Sequence, residues 1–174
     1  MEELMYPIGR FALGDELTSE DRTTLIDQIA QMPTSMRGAL SGLTDDQLDT
    51  RYREEGWTLR QVVHHVADSH IGGYVRFKWA ATEQNPMIKP YGEPEWAELA
   101  DGKSAPIDIS LDLLDTLHAR WVLYLRSLGP DDFLRPVRHP EWGEWTVDNV
   151  LGLYAWHGLH HVAHVTELRD RKGW

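Results

Sequence analysis

The helical spacing of apolar residues in four long segments constrains the fold of this 174-residue chain more than any other feature. In each segment the apolar residues recur every three or four positions, which places them on one face of an α-helix. No segment alternates between apolar and polar residues as a half-buried strand would. The sequence therefore predicts an all-α fold, a four-helix bundle with long inter-helix loops, in a single domain spanning residues 1–174. The predicted helices run from Thr18 or Ser19 towards Leu43, from Thr58 to about Thr82, from about Ser110 to Leu128, and from Thr146 to about Arg171.

Local signals mark several of the helix ends. Thr58 and Gln61 have the spacing of a capping box at the start of the second helix. The third helix should stop at Gly129-Pro130, because proline cannot continue a helix. Pro33 lies inside the first helix and is expected to kink or divide it. The residues from Thr44 to Leu48 predict one further short turn of helix.

Two long connections separate the last three helices. Residues 85–108 contain four prolines and two glycines, and they predict a long loop with a turn of helix around Glu95 to Leu99. Residues 135–145 predict a second loop that could hold a small hairpin. A loop as long as the first one usually packs over a functional site. At the other end of the chain, Tyr6-Pro7-Ile8-Gly9 is expected to form an extended lead-in packed on the bundle.

Composition excludes several classes of protein. The formal net charge of −11 disfavours binding to nucleic acid or to an anionic membrane, which both require an excess of Lys and Arg. The chain has no cysteine, which excludes disulfides, Cys-ligated metal sites and a cysteine nucleophile. No secretory signal and no apolar run of about 18 residues is present, so we expect a cytoplasmic protein.

The histidines are the candidate functional residues. Seven of the nine lie in the second and fourth predicted helices: His64, His65, His70, His157, His160, His161 and His164. Residues four apart on a helix are neighbours, so the pairs His157/His161 and His160/His164 could each bind one metal ion. At about 100° per residue, His157 lies within the apolar stripe centred near His161, whereas His160 lies about 100° away on its flank. The pair predicted to face the bundle is therefore His157/His161, with His164 as a supporting or packing residue.

The same geometry is less decisive for the second helix. Its apolar residues centre near Val66, about 100° from His65. Small residues beside His65, including Ser69 and Gly72, would leave room for an ion. His64 is expected to point further outwards, and His70 lies in the apolar sector, where a hydrogen-bonded core histidine is the simplest interpretation. His65 is thus the candidate third ligand.

Three imidazoles without cysteine favour zinc, with Ni, Fe, Co or Mn as alternatives, at one ion per chain. Three protein ligands leave a coordination position open, which is typical of a catalytic site. The sequence lacks His-Glu-x-x-His, Gly-x-Ser-x-Gly, phosphate-binding glycine motifs and the Glu-x-x-His of di-iron bundles. The tryptophans are interpreted as core and helix-start packing, because the acidic charge disfavours a base-stacking platform.

The sequence around these histidines resembles that of a known family. The segments 56–70 and 156–164 are similar to the DinB superfamily, and more closely to its YfiT-type branch of metal-dependent hydrolases and bacillithiol S-transferases. Tyr6-Pro7-Ile8-Gly9, the stretch from Thr44 to Tyr52 and the closing Gly173-Trp174 fit the same branch, so the resemblance spans nearly the whole chain.

The resemblance implies a four-helix bundle with one metal bound by three histidines, which match His65, His157 and His161 by motif. The wider superfamily often has Arg-Gly-Gln after the last ligand, where this chain has Val162-Ala163-His164. Some relatives transfer bacillithiol, mycothiol or glutathione, others are called hydrolases by inference, and homodimers occur among them. A thiol and an electrophile as small-molecule partners, and a homodimer, are thus what the resemblance implies.

Three functional hypotheses follow. In the favoured one, the metal lowers the pKa of a bound low-molecular-weight thiol, which attacks an electrophile held beneath the two long loops. In the second, the metal activates water for hydrolysis, with Asp68 and Glu167 as candidate general bases. In the third, the chain is a non-enzymatic, stress-associated binding module with a structural metal. The sequence assigns no catalytic residue other than the metal ligands.

Overall fold

The computed structural model describes residues 2–12, 14 and 16–174. Four long helices dominate these residues, with short helices in the connections and one hairpin of two strands. In chain order the elements are α1 (Glu2–Met5), α2 (Ser19–Leu40), α3 (Asp45–Leu48), α4 (Leu59–Thr82), α5 (Glu93–Ala97), α6 (Ala100–Ser104), α7 (Ile107–Leu125), α8 (Pro130–Phe133), β1 (Pro136–His139), β2 (Gly143–Thr146) and α9 (Val147–Lys172).

The long helices α2, α4, α7 and α9 form the predicted bundle. Helix α2 packs on α7 and α9, and α4 packs on the same two helices from the other side. The apolar faces meet in two clusters, one around Trp121 and Phe77 and the other around Met36 and Leu114. The all-α four-helix bundle is confirmed, and no described helix is both long enough and apolar enough to cross a bilayer.

Most predicted helix ends are confirmed to within a few residues. Thr58 and Gln61 form the predicted capping box, in which the Thr58 side chain accepts from the Gln61 backbone N–H. Pro33, however, does not divide the first helix, because α2 runs without a break from Ser19 to Leu40. The proline removes the N–H that would have donated to the Ile29 carbonyl, and His118 Nδ1 lies 2.6 Å from that oxygen instead.

The long connections contain more structure than predicted. Residues 93–104 form α5 and α6, where the sequence indicated a single turn of helix. The predicted hairpin is present as β1 and β2, which pair antiparallel across the turn of residues 140–142; Gly143, which follows this turn, has a φ of 81°. The Ile88 backbone N–H donates to the Arg138 carbonyl at 2.7 Å, so the two connections are joined to each other.

The segment from Tyr6 to Gly9 forms a turn, and the extended lead-in expected there is wrong. The Gly9 N–H donates to the Tyr6 carbonyl at 2.9 Å, because Pro7 has the φ angle that the second position of such a turn requires. The turn does pack on the bundle as expected, since Trp156 Nε1 donates to the Gly9 carbonyl at 3.2 Å.

Candidate metal centre

Three histidines from two helices converge at one point of the bundle. One nitrogen each from His65 on α4 and from His157 and His161 on α9 lies within 4.8 Å of the other two. The Nε2 atoms of His65 and His157 are 3.2 Å apart. The structure thus brings together the three residues that the helical phase and the sequence resemblance selected.

Burial keeps these three imidazoles neutral. Desolvation, with a smaller contribution from His160, lowers the pKa of His65 to about 4. Desolvation also lowers the pKa of His157 and His161 well below the usual value, and in both cases the neighbouring imidazoles act in the same direction. A neutral imidazole has one unprotonated nitrogen, which is the atom that a metal ion requires.

A second histidine group overlaps the first. His160, His161 and His164 also place one nitrogen each within 4.8 Å of the others, so His161 is common to both groups. Both nitrogens of His164 have partners, since Nδ1 lies 3.2 Å from His161 Nδ1 and Nε2 lies 3.2 Å from the Met5 carbonyl oxygen. His160 Nδ1 is buried and has no hydrogen-bond partner within the described structure. His164 therefore supports His161, as the sequence predicted.

The remaining histidines of α4 lie in the interior. His64 does not point outwards as expected: it is buried, with Nδ1 2.7 Å from Ser110 Oγ and Nε2 3.1 Å from the Ala105 carbonyl oxygen. The expectation failed because α6 and α7 cover that side of α4. His70 is a fully buried core histidine, as predicted, but its partners are His118 and His157.

The three converging histidines border a cavity of about 850 Å³. A volume of this size accommodates a small organic molecule or a pair of them. Aromatic side chains form much of its wall: Tyr6, Phe11, Tyr52, Trp57, Trp142, Trp145, Tyr154 and Trp156. Both long connections and the N-terminal turn contribute to this wall, so several tryptophans that the sequence assigned to packing also face the cavity.

Three charged residues lie in the cavity wall: the cationic Arg10 and Arg76 and the anionic Glu93. Arg76 Nη1 donates to Tyr154 Oη at 2.8 Å. Burial raises the pKa of Glu93, while Arg76 acts in the opposite direction. Asp68 and Glu167, the general bases suggested by the sequence, are not among the cavity residues. Glu93 was missed because it lies in a proline-rich loop, where no periodicity predicts the direction of a side chain.

Comparison with known proteins agrees with this architecture. Residues 28–165 match the model of the DinB superfamily. Proteins from Bacillus mycoides strain KBAB4 and Bacillus cereus strain ATCC 14579 are each 52% identical to this chain over 174 residues, covering both chains in full. Both relatives bear the name "Putative metal-dependent hydrolase".

A solved structure shows the same fold. YfiT from Bacillus subtilis, described as a probable metal-dependent hydrolase with an unusual four-helix bundle topology, superimposes with a TM-score of 0.96. The two sequences are 46% identical, and the match covers 99% of each chain. By family model, by sequence and by fold, this chain belongs to the DinB superfamily.

Proposed function

We propose that this protein is a metal-dependent enzyme that transfers a low-molecular-weight thiol, of the bacillithiol type, to small electrophiles. In this proposal His65, His157 and His161 hold one divalent cation. The observation that supports it is the convergence of three neutral imidazole nitrogens, within 4.8 Å of one another, at the edge of a cavity of about 850 Å³.

The donor set suits a borderline metal. Three imidazoles with no thiolate fit zinc best, and Ni, Fe, Co and Mn are also compatible with nitrogen ligands. All three side chains are already neutral, so binding an ion requires no costly deprotonation in the interior. When bound, such an ion supplies Lewis acidity, which lowers the pKa of a thiol or water at its open position.

The overlapping group of His160, His161 and His164 fits an ion less well. Its member His164 already uses both nitrogens, one towards His161 and one towards the Met5 carbonyl. A ligand role would break one of these contacts. In the group containing His65, an ion would replace only the contact between the Nε2 atoms of His65 and His157, which both already belong to that group.

Thiol transfer fits the rest of the chain. The protein has no cysteine, so a sulfur nucleophile has to arrive as a substrate. The cavity has room for a second molecule beside it, and its tryptophans offer apolar surface to an electrophile. Arg10 and Arg76 give the same cavity two cationic groups and Glu93 gives it one anionic group, with which to orient polar substituents.

Hydrolysis is the second candidate function, and two observations favour it. The Bacillus relatives are named as hydrolases, and Glu93 provides a carboxylate in the cavity whose pKa is raised by burial. Such a group can accept the proton of an attacking water. In this case Glu93, and not Asp68 or Glu167, would act as the general base.

An assay with and without thiol separates the two reactions. The metal-loaded protein should conjugate bacillithiol to monochlorobimane, and the rate should fall to the uncatalysed level without metal. Turnover of ester or amide substrates in the absence of any thiol, abolished in Glu93→Gln, would instead establish hydrolysis. Neither activity in metal-loaded protein, together with melting of the bundle on chelation, would establish a structural metal.

Metal analysis tests the ligand assignment independently. Freshly purified protein should contain about one divalent ion per chain, and His157→Ala should contain none. His160→Ala is the matched control, because His160 belongs only to the overlapping group. Loss of the ion from His160→Ala with retention in His157→Ala would overturn the assignment.

A further inference from the structure

A continuous row of hydrogen-bonded imidazoles connects His157 on α9 to the backbone of α2. His118 Nδ1 on α7 lies 2.6 Å from the Ile29 carbonyl oxygen on α2. His118 Nε2 lies 2.8 Å from His70 Nδ1 on α4, and His70 Nε2 lies 3.1 Å from His157 Nδ1 on α9. One chain of contacts thus crosses all four long helices.

The hydrogen bond between His118 and Ile29 fixes which nitrogen donates and which accepts along this row of imidazoles. A carbonyl oxygen can only accept, so His118 must carry its proton on Nδ1. The Ile29 carbonyl is available to it because residue 33, four positions later, is a proline without an N–H. Pro33 therefore leaves the Ile29 carbonyl free to accept from His118.

Each later link follows from the one before. A neutral imidazole has one donor and one acceptor nitrogen. With Nδ1 of His118 donating, its Nε2 accepts, so His70 donates through Nδ1 and accepts through Nε2. His157 then donates through Nδ1 and is left with an unprotonated Nε2, the atom that faces His65 Nε2 at 3.2 Å.

A shorter chain of the same kind ends on His161. The Met5 carbonyl oxygen lies 3.2 Å from His164 Nε2, which must donate to it. His164 Nδ1 therefore accepts, and its neighbour at 3.2 Å, His161 Nδ1, must be the donor. His161, like His157, is left with an unprotonated Nε2.

We infer that His70, His118 and His164 are positioning residues, which hold His157 and His161 as the Nδ1–H tautomer so that both Nε2 lone pairs face one metal ion. This inference rests on the proposed metal site for its purpose, but the tautomers themselves are a property of the metal-free protein. Hydrogen bonds to the outer nitrogen of a ligand histidine orient the ring and strengthen it as a ligand.

The tautomers can be measured directly in the metal-free protein. In long-range ¹H–¹⁵N spectra of ¹⁵N-labelled protein at pH 7.5 with chelator, His157 and His161 should each show a protonated Nδ1 and an unprotonated Nε2. An unconstrained histidine would exchange between both forms. Finding His157 or His161 protonated on Nε2 would overturn the inference without bearing on whether the protein binds metal.

Variants test the effect on the ion. His70→Phe should weaken the binding of Zn²⁺ by about 10- to 100-fold, and His118→Phe should weaken it about 10-fold although His118 touches none of the proposed ligands. His64→Phe is the matched control, because His64 is also buried on α4 with two hydrogen bonds but belongs to neither row of hydrogen-bonded histidines. Equal losses in all three variants would show a packing effect and overturn the inference, whereas failure of the unmodified protein to bind Zn²⁺ would refute only the proposed function.

Discussion

Two buried polar clusters in this bundle show how differently such groups can be arranged. Arg22 on α2 and Asp148 at the start of α9 form a two-pronged ion pair with distances of 2.8 and 2.6 Å. In the histidine cluster the groups are neutral, and three nitrogens converge to within 4.8 Å of one another, with the His65 and His157 Nε2 atoms in contact at 3.2 Å. The charges of the first cluster compensate each other, whereas the second cluster could hold a metal ion. Neutral imidazoles whose nitrogens converge are candidate metal ligands, and burial alone does not distinguish them from a compensated ion pair.

The largest effect on stability is expected from breaking the complete cluster. Asp148→Ala should lower the free energy of unfolding by about 3 kcal/mol or more, because it leaves the Arg22 guanidinium buried without its partner. Denaturant unfolding would measure this loss. Zn²⁺ affinity should stay within a few-fold of the unmodified protein, since Asp148 touches none of the three histidines. A large drop in affinity would show that the two clusters are coupled.

The histidine cluster could be predicted from the sequence only in part. His157 and His161 are four residues apart on one helix, so their common direction follows from the helical period. His65 lies on another helix, where the helical phase was less decisive, and the sequence resemblance supported its choice as the third ligand. The contact between His70 and His118 depends on how α4 and α7 pack, and no local pattern contains that information.

Pro33 shows why local rules fail at such points. The sequence predicted that Pro33 would kink or divide the helix, because proline removes one backbone hydrogen bond, and of these two alternatives the division is wrong. That rule treats the helix alone. In the folded chain the freed Ile29 carbonyl gains a donor from His118, which lies 89 positions away in the sequence. The backbone bond lost at Pro33 is thus replaced by a tertiary one.

Adding the ion should complete the histidine cluster and stabilise the bundle. Zn²⁺ at 100 times its dissociation constant should raise the free energy of unfolding by about 2.7 kcal/mol, if it binds only the folded state. The same increment is expected in Asp148→Ala, because that variant leaves the metal ligands intact. His157→Ala should show no increment, and a full increment there would place the ion elsewhere. Thermal melts with chelator and with Zn²⁺ would measure all three.

Acid should destabilise the metal-free protein through its buried histidines. Burial lowers the pKa of His118 from 6.5 to about 4, so between these values the unfolded chain binds a proton that the folded chain does not. Stability contributed by neutral His118 is therefore complete above pH 6.5 and is lost as the pH falls towards 4. His118→Phe should reduce the slope of stability against pH in this window by up to about 1.4 kcal/mol per pH unit. Identical slopes in the two proteins, from urea titrations with chelator, would contradict this.

An exposed ion pair on the same helix as Arg22 should matter least. Asp27 on α2 accepts one hydrogen bond from Arg126 at 2.8 Å, where the buried pair has two, and its side chain and that of Arg126 are 49% and 59% exposed. Water and salt screen such a pair, so Asp27→Ala should lower the free energy of unfolding by less than about 1 kcal/mol. The residual effect should shrink further in high salt, whereas the larger effect of Asp148→Ala should persist. Equal effects of the two substitutions in urea titrations would show that burial does not distinguish the two ion pairs. The Arg22–Asp148 pair could then not be contrasted with the histidine cluster as a buried polar group that is satisfied within the protein.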